Sequence, residues 1–343
     1  MQFFLIFLFH ASWAFVVPGK PAQLTGKALV EHINSVQSSW TAEYNDISNE
    51  EMRFKGMDAR FIKPQEDDPI LDDIKTELLP ASFDARDRWP ACRSIRMIRD
   101  QTWCASCWAF GAAEVISDRI CIQSNATQQP IISPEDILSC CGSSCGYGCK
   151  GGFPLQAFKF WMSKGAVTGG DYQGEGCMPY SIAPCQKGCV AASTPSCKTT
   201  CQKSYTTAVY KKDKHFGSSA YRLPSGSVSA IQSEIYKNGP VVAAIEAYVD
   251  FHKYKSGVYH HVSGDFVTGH AVKIIGWGTE RGEDYWLIAN SWGTIFGENG
   301  FGKIRRGTNE CKIEENVVAG LVKNTNTNSF FLGILIALAI YLF

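Results

Sequence analysis

Cysteine placement constrains this chain more than any other feature. The fourteen cysteines stand at 92, 104, 107, 121, 140, 141, 145, 149, 177, 185, 189, 197, 201 and 311, and residues 15–78 contain none. An even number of thiols in a chain routed to an oxidising compartment implies a disulfide framework, with loops stapled to one another. That routing is read from the start, "MQFFLIFLFHASWAF", a short apolar run followed by the small-x-small pattern Ser12, Trp13, Ala14. It has the form of a secretory signal over residues 1–14, and the run is too short to span about 30 Å of hydrocarbon. Zinc is the competing use of close thiols at 141–149 and 185–201, but no repeated C-x-x-C pair with matching histidines accompanies them.

The step in cysteine content marks a boundary near residue 79. Before it, "GKALVEHINSVQSSWTAEYN" spaces Leu29, Ile33, Val36 and Trp40 by threes and fours, which predicts one amphipathic helix reaching Trp40. "PQEDDPILDDIKTELLPASFD" then reads as an extended acidic linker. Residues 15–78 are therefore either a small helical subdomain or a removable segment covering a later domain. After the boundary, "WAFGAAEVISDRICI" carries the strongest helical pattern, with Trp108, Ala112, Val115, Ile116, Arg119 and Ile120 in register. The stretch 140–201 is rich in Gly, Cys and Pro and predicts loops. The last third alternates strand-like runs such as "PVVAAIEAYVDF" and "HAVKIIGWG" with glycine turns. Helices first and strands second predict an α+β protein of two lobes.

Charge excludes one class of function. Thirty-three basic residues balance thirty-three acidic ones without a basic run, so a nucleic-acid footprint is missing. The tail "FFLGILIALAIYLF", residues 330–343, is shorter than the about 20 residues of a spanning helix. It reads equally as a lipid-anchor signal with a short spacer, a loose membrane attachment, or an extension without function.

The chemistry centres on "DQTWCASCWAF". A thiol becomes a nucleophile when its pKa falls from ~8.5 toward neutrality, which a helix N-terminus and an imidazolium both promote. Cys107 stands where the helix begins, whereas Cys104 in the preceding loop suits a structural bridge. A partner base and a group to orient it are offered by His270 in "TGHAVKIIGWG" and Asn290 in "WLIANSWG".

With these motifs in order, the chain resembles the papain-like cysteine peptidases, in their cathepsin B-like branch. "CASCW" is similar to the family's C-G-[SA]-C-[WY] signature, and the resemblance runs over residues 79–320 through "LPASFDARDRWPAC", "CCGSSCGYGCKGGFP", "NGPV", "YKSGVY", "GHAVKIIGWG" and "ANSWG". It implies a two-lobed papain-like fold, with a helical left lobe and a β-barrel-like right lobe across a cleft. It also implies a signal at 1–14, a pro-segment at 15–78 that runs backwards through the cleft, a mature peptidase at 79–325 and a hydrophobic tail at 326–343.

Carried over by position, the resemblance makes Cys107 the nucleophile, His270 the general base and acid, and Asn290 the orienting amide. Gln101 becomes the side-chain donor of the oxyanion hole, and Trp292 the indole that shields the Asn290 to His270 bond. Gly151 and Gly152 become a backbone-docking edge. Phe153, Pro154, Ala244 and Ala271 are expected as walls of the S2 pocket, and Asn316 stands there in place of the branch's acidic residue, favouring apolar P2 residues. The implied bridges are Cys92 to Cys121, Cys104 to Cys149, Cys140 to Cys197, Cys141 to Cys145, Cys177 to Cys201 and Cys185 to Cys189, leaving Cys107 and Cys311 free. No cofactor or metal is implied; the expected partners are protein or peptide substrates, the chain's own pro-segment and cystatin-like inhibitors, in a lysosome or outside the cell. Asn125, in the N-x-[ST] sequon with Thr127, is a candidate glycosylation site.

Three departures bear on activity. "CQKGC", 185–189, is short for an occluding loop and carries Lys187 and Gly188 where the branch has a histidine pair, so endopeptidase cleavage should dominate over dipeptide removal. The pair His260 and His261 lies in "SGVYHHVSG", expected as a surface loop. Ala105 replaces the signature glycine and Phe296 a tryptophan near the site. The rival readings are a feebly active homologue that serves as a binding protein, and a redox protein in which Cys104 pairs with Cys107.

Overall fold

Gln37 ends the first helix sooner than the apolar spacing predicts. In the computed structural model, which describes residues 24–71, 78–185 and 188–323, α1 spans Gly26–Val36 with Leu29 and Ile33 buried and Val36 55% exposed. The Gln37 amide donates to the carbonyls of Ile33 and Trp40 and accepts from the Trp40 N–H, which turns the chain. Trp40 opens strand β1 (Trp40–Ala42) and its ring packs 5.0 Å from that of Tyr259. The expected helical face at Trp40 is thus a strand position, because a side-chain amide and an aromatic slot outcompete helix propagation.

Helix α2 (Asn49–Lys55) opens with a reciprocal capping box between Ser48 and Glu51. The short β2 (Phe83–Asp84) and α3 (Ala85–Arg88) follow the junction. Then come α4 (Cys107–Gln123), α5 (Pro134–Cys140) and α6 (Pro154–Lys164). Beyond the loop-rich middle lie β3 (Gly217–Arg222), α7 (Val228–Asn238), β4 (Val241–Tyr248), β5 (Tyr254–Tyr259), β6 (Phe266–Glu280), β7 (Glu283–Ala289), β8 (Phe301–Arg305) and β9 (Asn316–Val322). The sheet order is β1-β5-β8-β7-β6-β4-β9-β3, with β2 on β6. β1 lends its strand to β5 antiparallel, so the N-terminal segment is sewn into the sheet of the second lobe.

One core gathers on the sheet around Ile274, Trp277 and Trp286, and another around α4, α5 and α6 with Phe110, Ile116, Phe158 and Trp161. Helix α4 lies between them, buried on every side from Cys107 to Cys121. Its charged residues are consequently neutralised inside the protein. Lys273 of β6 reaches Asp118 at 3.0 Å and Glu114 at 3.4 Å. Arg119 pairs with Glu234 at 2.8 Å and donates to the carbonyls of Gly239, Pro240 and Gly320. The register between α4 and the sheet, and hence between the lobes, is fixed by these contacts.

The six disulfides join 92–121, 104–149, 140–197, 141–145, 177–201 and 185–189, and Cys107 and Cys311 are free and buried. The histidine pair departs from expectation. His260 Nδ1 lies 3.0 Å from Ser39 Oγ, and His261 Nδ1 lies 3.0 Å from the buried Asp250 carboxylate with its ring stacked on Tyr248. Both are half-buried rather than on a free loop, because Ser39 and Arg305 hold His260 and the buried Asp250 carboxylate holds His261. The expected signal at 1–14, Lys187 and the tail at 326–343 lie outside the described residues.

Candidate active site

Cys107 is the first residue of α4, where unpaired N–H groups point at its side chain. The backbone N–H groups of Ala271, Trp108 and Cys107 itself all favour its thiolate, but burial outweighs them and pushes the pKa up to about 12. Ala271 belongs to β6 and directly follows His270 in the chain. His270 faces Ile245 across the β4–β6 ladder, and its Nε2 lies 2.8 Å from Asn290 Oδ1.

The proton on this imidazole can be placed. Asn290 Oδ1 also accepts from the Ser291 N–H at 2.8 Å, which identifies it as the amide oxygen. His270 Nε2 therefore donates, leaving Nδ1 as a bare acceptor, and Nδ1 has no hydrogen-bond partner among the described residues. Burial, opposed by the Asn290 bond and helped by the Lys55 charge, lowers the His270 pKa to about 4. The Trp292 ring covers the pair, 4.4 Å from the His270 ring and tilted by 31°. Phe296 meets the edge of Trp292 at 5.5 Å and is itself buried.

Gln101 is held from two sides. Its N–H donates to the Ser291 carbonyl at 2.9 Å, and the Ser291 hydroxyl donates to Gln101 Oε1 at 2.7 Å. That second bond turns Nε2 outward, where it donates to the Lys55 carbonyl and to the Cys104 carbonyl, each at 2.7 Å. Cys104 is tied to Cys149, and the Ala105 N–H donates to the Cys149 carbonyl at 3.2 Å. Cys104 thus cannot serve as a redox partner of Cys107 in this arrangement.

The N-terminal segment fills the cleft. Met57 and Gly269 exchange both backbone hydrogen bonds at 2.8 Å, and the Thr268 hydroxyl donates to the Met57 carbonyl. Gly151, at φ +108°, has no room for a Cβ, which would stand 2.7 Å from Met57 Cβ. Gly152 answers to a different constraint: its missing Cβ faces the Cys145 carbonyl and the Trp108 ring, inside the lobe. Phe61 meets Phe153 edge-on at 4.8 Å, and the Asn316 amide donates to the Ile62 carbonyl at 3.2 Å. Pro154 begins α6, while Ala244 sits opposite both Ala271 and Asn316 in the sheet, all of them buried. Glu314, two positions before Asn316, turns to the core and accepts from the Trp286 indole and the Gly307 and Asn309 N–H groups.

Asn125 is exposed at the turn after α4, at φ +49°. Cys311 lies apart, 3.5 Å from Glu310 Oε1. Sequence reasoning passed over Ser291 and Thr268, although both stand inside motifs it quoted. No local signal separates Ser291 from its neighbours, because its role depends on Gln101 being brought across from the other lobe. Among the described residues no group of His, Cys, Asp and Glu is placed to hold a metal ion.

Cys107 at the start of α4, the His270–Asn290 pair on the sheet and the chain's own N-terminal segment in the cleft are the features to set beside known proteins. The family model described as papain family cysteine protease matches residues 79–321, and the chain belongs to that family. It is 64% identical over 305 residues to cathepsin B-like cysteine proteinase 3 of Caenorhabditis elegans, covering 87% of this chain and 82% of that protein. It is 58% identical to the gut-specific cysteine proteinase of the same organism, covering 88% and 92%. Among solved structures, procathepsin B S9 from Trypanosoma congolense superposes with a TM-score of 0.77 at 38% identity, covering 88% of this chain and 99% of that one. Digestive procathepsin L 3 of Tenebrio molitor, at 22% identity and a TM-score of 0.66 over 86% and 88%, shares the fold. The expected α+β, two-lobed papain-like architecture is the observed one.

Proposed function

We propose that the protein is a cathepsin B-like endopeptidase of the secretory route, acting in a lysosome or outside the cell after its pro-segment is cut away near residue 79. Cys107 is the nucleophile, His270 the base and acid, Asn290 the residue that orients the imidazole, and Gln101 with the Cys107 N–H the oxyanion hole. The observation that carries this reading is the Lys55 carbonyl 2.7 Å from Gln101 Nε2: a peptide carbonyl already occupies the donor that a scissile carbonyl would use.

Removal of the segment admits water to the site. Burial, which holds the thiol up at about 12 and the imidazole down at about 4, is then relieved. The three N–H groups facing the sulfur remain, so the proton moves from Cys107 to His270 Nδ1. The thiolate adds to the substrate carbonyl and the charge on oxygen falls to Gln101 Nε2 and the Cys107 N–H. His270 gives its proton to the leaving amine, and a thioester remains on Cys107. Water, deprotonated by His270, attacks the thioester; the carboxylic acid leaves and the thiol is regenerated.

Asn316 and the alanines 244 and 271 favour an apolar residue at P2, against Phe153 and Pro154. The short 185–189 loop lacks a histidine pair for a substrate carboxylate, which favours cleavage within chains over dipeptide release. Asn125 is exposed enough for a glycan, and the cleft would accept cystatin-like inhibitors. Among the described residues no helix is long and apolar enough to cross a membrane; attachment through the tail would rest on 326–343 alone.

An epoxysuccinyl thiol-protease inhibitor added to the processed protein should form one adduct, on Cys107. Absence of an adduct, with no hydrolysis of an apolar-P2 peptide, would leave the inactive binding-protein reading instead. Vigorous dipeptide release from peptides with free C-termini would overturn the endopeptidase assignment.

A further inference from the structure

Trp103 lies four residues before Cys107, and the peptidase mechanism gives it no task. Its ring is not loose. The indole N–H donates to the Cys185 carbonyl at 3.0 Å, and the Trp103 carbonyl accepts from the Ala192 N–H at 2.8 Å. The first bond holds the ring to Cys185 and the second holds the Trp103 backbone to Ala192. Against its face lies the ammonium group of Lys55, with Nζ 4.6 Å from the ring centroid.

Lys55 is 5% exposed, and a lysine so enclosed needs something to hold its charge. Among the described residues it makes no ion pair within salt-bridge distance. What it has is the π-face of Trp103; burial lowers the ammonium pKa, and the charge of the half-buried Asp100 carboxylate offsets that in part. Asp100 is itself anchored, accepting the Thr102 N–H at 2.8 Å. The indole face makes a preformed cation site, with the Asp100 charge adding to it, which an aliphatic or polar residue at 103 would not provide.

The position of this site relative to the chemistry is set by the same residue. The Lys55 carbonyl takes the Gln101 donor while its side chain takes Trp103, so the cation site lies one side chain away from the reacting carbonyl. Gly56 and Met57 continue toward Gly269 and Gly151, the acyl side of the cleft. The Lys55 side chain lies instead on the Trp103 ring, whose N–H is bonded to Cys185, at the start of the segment that the proposed endopeptidase function places at the leaving-group end.

We propose that Trp103 and Asp100 form a subsite for a lysine or arginine side chain in the first two residues on the leaving-group side of the scissile bond, and that Lys55 fills it in the proenzyme. The inference rests on the peptidase reading and adds to it a preference for basic residues after the cut. The subsite gains strength in the mature enzyme because the ring is fixed before the substrate arrives, so little order is lost on binding.

The test uses the processed enzyme and internally quenched peptides that share one acyl half with an apolar P2 residue. The first or second leaving-group position carries lysine or its uncharged isostere norleucine. We expect kcat/KM for lysine to exceed that for norleucine by about five- to tenfold at one of the two positions, the range of a partly desolvated cation–π contact with a nearby carboxylate. The ratio should fall to about one in Trp103→Leu, be partly kept in Trp103→Phe, and drop in Asp100→Asn. Because each variant is read as a ratio within itself, a general loss of activity does not disguise the result. Equal hydrolysis of the two peptides by the wild-type enzyme at both positions, or an unchanged ratio in Trp103→Leu, would overturn the subsite alone. Hydrolysis of neither peptide would overturn the peptidase reading and the subsite with it.

Discussion

Gly56→Ala should unlatch the pro-segment without touching the proposed catalytic residues. Gly56 has φ −109° and ψ 163°, an extended conformation open to any residue, so its lack of a side chain serves space alone. A Cβ at this position would stand 2.1 Å from Thr268 Cγ2 and Oγ1 and 2.5 Å from Thr268 Cβ. Thr268 cannot swing aside freely, since its hydroxyl is committed to the Met57 carbonyl at 3.0 Å and both arms of its branched side chain are near. The chain from Lys55 to Met57 would have to lift, pulling the Lys55 carbonyl from Gln101. Overpacking of this kind costs about 1–3 kcal/mol, or about five- to 150-fold in the open fraction of the proenzyme. The assay is the rate at which iodoacetamide alkylates Cys107 in intact proenzyme, mapped by peptide mass so that Cys311 is scored separately. Gly56→Ala should raise that rate by the same factor, and the double variant Gly56→Ala with Thr268→Gly should recover part of the protection. A rate within twofold of wild type would refute the claim that close packing at Gly56 holds the cleft shut.

Acid should open the cleft by a second route. His270 is a base whose pKa in the closed state, about 4, lies below its ordinary value of 6.5, so closure is complete above that ordinary value and loses ground as pH falls toward 4. The loss is about 1.4 kcal/mol per pH unit across that window, and trypsin cleavage of the pro-segment in a Cys107→Ala proenzyme should rise steeply below pH 6; a flat profile would count against it. His261 shifts the opposite way: burial lowers its pKa, but the bond to Asp250 outweighs this and leaves it raised, with Glu310 adding to the effect. Its contribution is full at pH 5.5 and is lost as pH rises through the raised value. His261→Gln should therefore lower Tm at pH 5.5 and flatten the decline of Tm between pH 6 and 8. Finally, Lys273→Met leaves Glu114 and Asp118 buried without their cation and should cost about 3–5 kcal/mol, read as a drop in the urea midpoint at pH 8. A drop under about 1 kcal/mol would show that the carboxylates find other partners.

Much of this protein was legible one residue at a time. The apolar spacing after Cys107 predicted the helix that begins at that residue, and alternation with glycine turns predicted the β-rich second lobe. The motif order identified Cys107, His270, Asn290 and Gln101 as candidates and, through the resemblance, the six bridges that the structure contains. Misreadings arose where a residue answers to a distant neighbour. Trp40 fits a helical repeat, but its place is set by Tyr254 and Tyr259, far along the chain. His260 and His261 look like loop residues until Ser39, Arg305 and Asp250 are brought to them. Gly151 and Gly152 read alike, yet one faces the cleft and the other the Trp108 ring.

By itself, then, the sequence determined which residue types are present for the chemistry, where the helix begins that holds the thiol, and where a cysteine-free segment gives way to a stapled domain. These are local matters of spacing, capping and composition. Only the tertiary structure decided that the Lys55 carbonyl occupies the Gln101 donor, that Ser291 aims that donor, and that Lys55 rests on Trp103 beside Asp100. Each of those contacts joins segments whose relative positions are set by the strand register of β4 and β6 and by the buried charges along α4. Periodicity describes the faces of one element, and it carries no information about which face of another element will be laid against it.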